Sequence, residues 1–103
     1  METLRERIVR VLLESDEPLT IDQIGELLGV PREQRKMLYY ELPHVAKTLR
    51  RKSGGALQLV YEPPRCANCG YVFSKLKRIK KPSKCPRCKS ERILPPRFLI
   101  VET

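Results

Sequence analysis

The stretch CANCGYVFSKLKRIKKPSKCPRCK, residues 66–89, decides how the rest of the chain is read. It opens on Cys66-Ala-Asn-Cys69 and closes on Cys85-Pro-Arg-Cys88, two CxxC pairs with fifteen residues between them. Two residues between thiolates let one tight turn present both sulfurs to a single ion, and two such turns supply the tetrahedral sulfur set that Zn2+ accepts. All four cysteines of the chain fall within this 23-residue window. A secreted disulfide framework spreads its bridges through the chain, and intracellular disulfides belong mainly to hyperthermophiles, so the spacing favours four ligands to one structural ion. A closed shell holds no activated water, and hydrolytic chemistry is not expected there. Iron is the alternative ion, because tetrahedral sulfur sites accept either metal.

Working outward, Pro63-Pro64 and Pro95-Pro96 bracket the cysteine segment. Beyond them, Ala56–Glu62 alternates with Leu57, Leu59 and Tyr61 on one face, and Arg97–Val101 is a short β-like run. The two predict a strand pair into which the metal module is inserted, with the prolines stopping the pairing from continuing inward. The knuckles Cys66-Ala-Asn-Cys69-Gly70-Tyr71 and Cys85-Pro-Arg-Cys88 resemble those of rubredoxin. Lys89 stands where rubredoxins usually carry glycine, and the surroundings are strongly basic, which ranks an iron electron carrier second.

Upstream of the strands the pattern is helical. Thr3 with Glu6 reads as a capping box, and Leu4, Ile8, Val11 and Leu12 form one apolar stripe, which predicts a helix over 4–15. Asp16, Glu17 and Pro18 break it. Thr20 with Gln23 makes a second capping box, flanked by Leu19 and Ile24 at the positions of a hydrophobic staple, so a second helix starts at Ile21 and ends at Gly29. Leu38, Leu42, Val45 and Leu49 continue a helical face past Pro43. Proline suits a first turn and disrupts a helix interior, which predicts two pieces, 32–41 and 43–52.

A chain of 103 residues suits one small domain with a smaller insert. No apolar run approaches the ~20 residues of a membrane span. Charges interrupt the opening METLRERIVRVLLES, unlike a secretory signal, so a cytoplasmic protein is expected. The formal net charge of +9 is unevenly spread. Residues 1–30 hold three basic and seven acidic side chains (net −4), and residues 31–55 hold seven and two (net +5). Residues 65–92 carry ten basic side chains against Glu91 alone (net +9). Even after four thiolates and a divalent ion are counted, a polyanionic partner is the default expectation.

The whole chain resembles a small archaeal family of predicted transcriptional regulators, in which a rubredoxin-like zinc ribbon replaces or enlarges the wing of a winged helix-turn-helix. The residues that carry the resemblance are Pro18-Leu19-Thr20-Ile21, Leu28-Gly29-Val30, Tyr40 through Leu49, the paired knuckles, and Pro96-Arg97-Phe98. It implies an α+β fold with three or four helices and a β-hairpin. Residues 1–62 and the returning strand 95–103 would form the winged helix-turn-helix, and 63–94 the ribbon. It also implies binding of double-stranded DNA and regulation of transcription.

Gln34, Arg35 and Lys36 stand where a third helix ordinarily buries an aliphatic residue, which predicts an enlarged turn and leaves two choices of recognition helix. In one, Arg32, Arg35 and Lys36 meet the nucleic acid; in the other, Lys47, Arg50, Arg51 and Lys52 do. Lys75, Lys77, Arg78, Lys80 and Lys81 lie between the knuckles, where a ribbon forms an exposed tip able to track a backbone. Tyr39, Tyr40 and Phe73 fit either base stacking or the core. His44 has no nucleophile or carboxylate partner legible beside it, so no enzyme is expected. A protein-interaction adaptor of the transcription machinery and an RNA binder are the competing binding roles. The chain works as a monomer or as a homodimer through its first helix.

Overall fold

A computed structural model of the chain describes residues 2–76 and 78–103. Helix α1 (Leu4–Glu14) starts where Thr3 turns extended and its hydroxyl oxygen accepts the Glu6 N–H. Glu6 does not close the expected box, because its carboxylate accepts the Thr3 hydroxyl at 3.1 Å. The box does close in α2 (Ile21–Leu28). There the Gln23 N–H donates to Thr20 Oγ1 at 3.1 Å, and the Thr20 N–H donates to Gln23 Oε1 at 2.8 Å. Gly29 ends α2 at φ +73°, where a Cβ would be strained.

The two pieces predicted around Pro43 are one helix. After a single 3-10 turn, Arg32–Gln34, helix α3 runs without interruption over Lys36–Lys52. A proline inside a helix costs about 3 kcal/mol, since the carbonyl one turn back loses its donor. Leu38 and Leu42 before the proline, and Val45 and Leu49 after it, are all buried on one face. Each contributes about 1.5–3 kcal/mol by leaving water, so the continuous stripe outweighs the proline. Pro43 itself lies on the exposed face, where solvent can serve the orphaned carbonyl.

Strands β2 (Leu57–Glu62) and β5 (Arg97–Glu102) pair antiparallel from Leu57↔Glu102 to Glu62↔Arg97. A two-residue strand that the sequence did not announce, β1 (Leu19–Thr20), pairs with the other side of β5 through Leu19↔Phe98, so the sheet order is β1-β5-β2. Phe98, fully buried on the central strand, meets Ile8, Leu12, Ile24, Leu38, Leu42 and Val45 in the main core. Tyr61 stacks on it at 5.9 Å between ring centroids.

Contrary to expectation, the paired prolines do not end the hairpin. Strands β3 (Arg65–Cys66) and β4 (Ile93–Leu94) pair beyond them, Arg65↔Leu94 and Cys66↔Ile93. Stepping three residues along each strand from Glu62↔Arg97 arrives at Arg65↔Leu94, so the register is continuous and the prolines merely remove ladder donors for two positions. Pro64 and Pro96 are fully buried at this junction. The ribbon beyond it has its own small core of Cys66, Phe73, Cys85 and Ile93. Ile79, from the basic segment between the knuckles, packs back against the main core.

Replacing Pro43 by Ala should stabilise the protein by about 1–3 kcal/mol, read as a higher denaturant midpoint with an unchanged slope. A lower midpoint would mean that the proline ring is itself a packing element.

Candidate metal centre and cationic surface

The two knuckles are built alike. In the first, the Gly70 N–H donates to the Cys66 carbonyl at 3.0 Å and the Cys66 N–H to the Tyr71 carbonyl at 2.8 Å. In the second, the Lys89 N–H donates to the Cys85 carbonyl at 3.0 Å and the Cys85 N–H to the Ser90 carbonyl at 2.9 Å. The turn needs a left-handed residue after its second cysteine. Gly70 supplies it at φ +80°, and Lys89 is forced into it at φ +66°. The departure from the rubredoxin pattern at Lys89 is therefore one of side chain, while the backbone keeps the glycine conformation.

The result is four sulfurs within 4.8 Å of one another, from Cys66, Cys69, Cys85 and Cys88. Cys66 Sγ lies 3.5 Å from Cys88 Sγ, and Cys69 Sγ lies 3.6 Å from Cys85 Sγ. Tetrahedral zinc with Zn–S bonds of about 2.3 Å sets its sulfurs about 3.8 Å apart, so the cage has the right size for one ion. Nitrogen donors already point at the sulfurs: the Cys69 N–H at Cys66 (3.5 Å), the Arg87 N–H at Cys85 (3.4 Å) and the Asn68 amide at Cys88 (3.5 Å). Such donors favour thiolate, the form that binds metal.

Ionisation is shared unevenly. Hydrogen bonds from the Asn68 side chain and the Ser90 backbone bring the Cys88 thiol down to about 6. A backbone bond at Tyr71 pulls Cys69 the same way, but burial and the neighbouring sulfurs carry it up to about 11. Four thiolates in so small a volume repel one another, and a divalent cation removes that conflict. Aromatic and aliphatic groups close the site: Tyr71 meets Phe73 edge-on at 5.0 Å, with Ile93 and Leu76 beside them. Phe73 belongs to this wall and is not available for stacking on a ligand.

The cationic residues sort into several places. Arg35 is drawn into the body: its Nε donates to the Val30 carbonyl at 3.0 Å, and its Nη1 reaches Asp22 at 3.2 Å. Its stem leaves no room for a Cβ on Gly25, which would stand 2.6 Å from Arg35 Nε. The sequence offered Arg35 as a nucleic-acid contact, and its role in locking the turn between α2 and α3 was missed. The signal was Gly25, an otherwise unexplained glycine in the middle of a helix. Arg32 is exposed on the 3-10 turn, and Lys52 lines a groove between α1 and α3.

Lys36, Tyr40, Pro43, Lys47 and Arg50 follow one another at four- and three-residue steps along the exposed side of α3, with Arg51 beside them. The only carboxylate of α3, Glu41, accepts from Arg5 Nε at 2.6 Å on α1. On the ribbon, Lys75, Arg78, Lys80 and Lys81 are exposed, and Lys77 lies outside the described residues. Arg78, Lys80 and Lys81 line a cleft of about 990 Å³ whose opposite wall is Lys36, Tyr39, Tyr40 and His44 of α3. Burial, and then the Asp22 carboxylate, push the hydroxyl of Tyr39, on the α3 wall of this cleft, up to about 12. Among the described residues, no helix is long and apolar enough to cross a membrane.

Among the described residues, three α-helices over antiparallel strands, with one hairpin extended into a closed four-sulfur ribbon, define a mixed α+β protein with an inserted zinc ribbon. Residues 3–57 match the family model described as PF0610-like, N-terminal, and residues 63–102 match the PF0610 rubredoxin-like zinc beta-ribbon domain. The chain belongs to the PF0610-like family. The solution NMR structure of protein PF0610 from Pyrococcus furiosus is similar to it throughout: TM-score 0.70, 26% identity, 100% of this chain and 95% of that chain covered. No curated protein matches the chain.

The purified protein should carry one equivalent of zinc by elemental analysis and be colourless. A red protein that bleaches on reduction would make the ion iron. Lys89→Gly should raise stability by about 0.5–1 kcal/mol by relieving the left-handed lysine, a gain visible in the denaturant midpoint of the metal-loaded protein. An unchanged or lowered midpoint would place the strain elsewhere.

Proposed function

We infer that this protein is a DNA-binding regulator of transcription that contacts duplex DNA through α3 and is stabilised by its metal ribbon. The observation that carries this reading is the exposed side of α3, which presents Lys36 at its start, Lys47, Arg50 and Arg51 towards its end, and no carboxylate between them. Lys47, Arg50 and Arg51 stand at its C-terminal end, exposed and outside the lining of the cleft. Acids are the usual neighbours of such bases on a solvated helix, through pairing at four-residue spacing. Their absence here matches a surface that faces phosphate.

The winged helix reading draws support from the chain order. Helix α1, strand β1, helices α2 and α3, and the long pair β2 and β5 follow one another, with β5 lying between β1 and β2. In this reading α2, the 3-10 turn and α3 form an enlarged helix-turn-helix, and the ribbon stands where a wing would be. The two recognition helices that the sequence left open, 32–41 and 43–52, then become two ends of one element, and the C-terminal end is the duplex reader. Arginine there can grip guanine O6 and N7 together, worth about 1–3 kcal/mol of discrimination per well-formed pair. Phosphate contacts from Lys47 and from Lys75, an exposed ribbon lysine outside the cleft lining, would set position and salt dependence. The protein acts by binding, with no catalytic step.

Replacing Arg50 and Arg51 by Ala should weaken duplex binding by about 10-fold or more and flatten the dependence of log K on log salt by roughly two contacts, with zinc content and helicity unchanged. Duplex affinity that is the same in wild type and variant, or wild-type binding without any salt slope, would overturn the reading.

A further inference from the structure

The N-terminal half of α3 is unlike its C-terminal half. Ile79, partly buried, packs against the main core and brings the basic segment of the ribbon back over the helix, so that Arg78, Lys80 and Lys81 face Lys36, Tyr40 and His44 across the cleft. A B-DNA major groove is about 12 Å wide and admits one helix. A second chain segment lying alongside α3 obstructs the seating of this half in such a groove. A cleft of about 990 Å³ is too small for a duplex, yet its size suits a few units of a flexible strand.

Its chemistry is also particular. Tyr40 is 66% exposed, an unusual state for a large aromatic ring, and no other ring stacks on it among the described residues. It stands on the same helix face as Lys36, one turn away, and cations of the ribbon lie opposite. The one carboxylate in the lining, Asp22, is paired with Arg35 at 3.2 Å. Exposed rings between flexible cations are the means by which proteins hold unpaired bases, with the rings stacking on the base and the cations tracking its phosphates.

We propose that the cleft between α3 and the basic segment of the ribbon is a second nucleic-acid site, which holds an unpaired DNA strand by stacking a base on Tyr40 and pairing the flanking phosphates with Lys80 and Lys81. The proposal rests on the reading of the protein as DNA-binding but uses other residues from those assigned to the duplex. Tyr39, beside Tyr40 on the α3 wall of the cleft, offers a hydroxyl to a base edge or a phosphate oxygen. The ribbon thereby has a use besides extending the wing: it forms the second jaw of a clamp whose first jaw is α3. A protein with both surfaces would bind a junction between duplex and single strand more tightly than either alone.

The test uses the full zinc-loaded chain and a fluorescein-labelled twelve-residue oligodeoxythymidylate, with affinity read by anisotropy at moderate salt. Because the chain has four Tyr and no Trp, quenching of tyrosine emission by the unlabelled oligonucleotide reports stacking directly. Tyr40→Ala should weaken binding by at least about 5-fold and remove most of the quenching, whereas Tyr40→Phe, which keeps the ring, should retain the affinity. Lys80→Ala with Lys81→Ala should also weaken binding, with zinc content intact. Oligothymidylate affinity unchanged by Tyr40→Ala, or displacement by inorganic polyphosphate as effective as by unlabelled oligonucleotide, would overturn the proposal. The two readings fail separately. If Arg50→Ala with Arg51→Ala abolishes duplex binding and spares the oligothymidylate, both stand; if the wild type binds oligothymidylate through Tyr40 but no duplex, the cleft stands and the duplex reading falls.

Discussion

The four sulfurs of Cys66, Cys69, Cys85 and Cys88 are the constraint on which the ribbon depends. Apart from the cysteines, the ribbon core consists of Phe73 and Ile93, with Tyr71 and Leu76 partly buried beside them. A segment of this size buries too little apolar surface to offset the entropy of ordering its backbone, and ten basic side chains in residues 65–92 repel one another besides. Metal binding supplies what the core lacks, because the binding free energy of a site that does not exist in the unfolded chain is folding free energy. The cage is also anionic once loaded, so it offsets part of the charge that surrounds it.

From this anchor the geometry propagates to the helical body through backbone register. The ladder of β2 and β5 resumes in β3 and β4 without a shift, across two pairs of prolines of which Pro64 and Pro96 are buried at the junction. A slip of one residue would turn every side chain to the opposite face, so unbroken register holds the ribbon in one orientation relative to the sheet. Ile79 adds a second attachment on the main core. The ribbon is thus held at both its root and its basic segment, and the cations between the knuckles are brought to one wall of a cleft.

Much of this was legible in the chain. The CxxC spacing picked out the four cysteines that the fold gathers into one cluster, because that pattern is short, local and dictated by the size of a tetrahedral ion. The Thr20 and Gln23 box and Gly29 marked both ends of α2, because caps are local chemistry too. What the sequence hid depended on distant partners. Pro43 reads as a break until the buried stripe on both sides of it is seen to outweigh its cost. Strand β1 is two residues long and exists only because β5, from the far end of the chain, lies beside it. Arg35 looked like a free cation, and only the fold shows it lying on Gly25 with its donors engaged. The prolines around the ribbon were read by their local veto on ladder bonds, whereas the tertiary anchors beyond them restored the pairing.

Amide hydrogen exchange on the full chain, with zinc bound and after its removal by a chelator, tests most directly whether the sulfur cage holds the ribbon. The account predicts that removal abolishes protection at the Cys66, Phe73 and Cys85 amides, whose bonds depend on the folded knuckles, and leaves the protection of α1, α2 and α3 largely intact. Knuckle amides that remain as protected without the ion as with it would contradict the account.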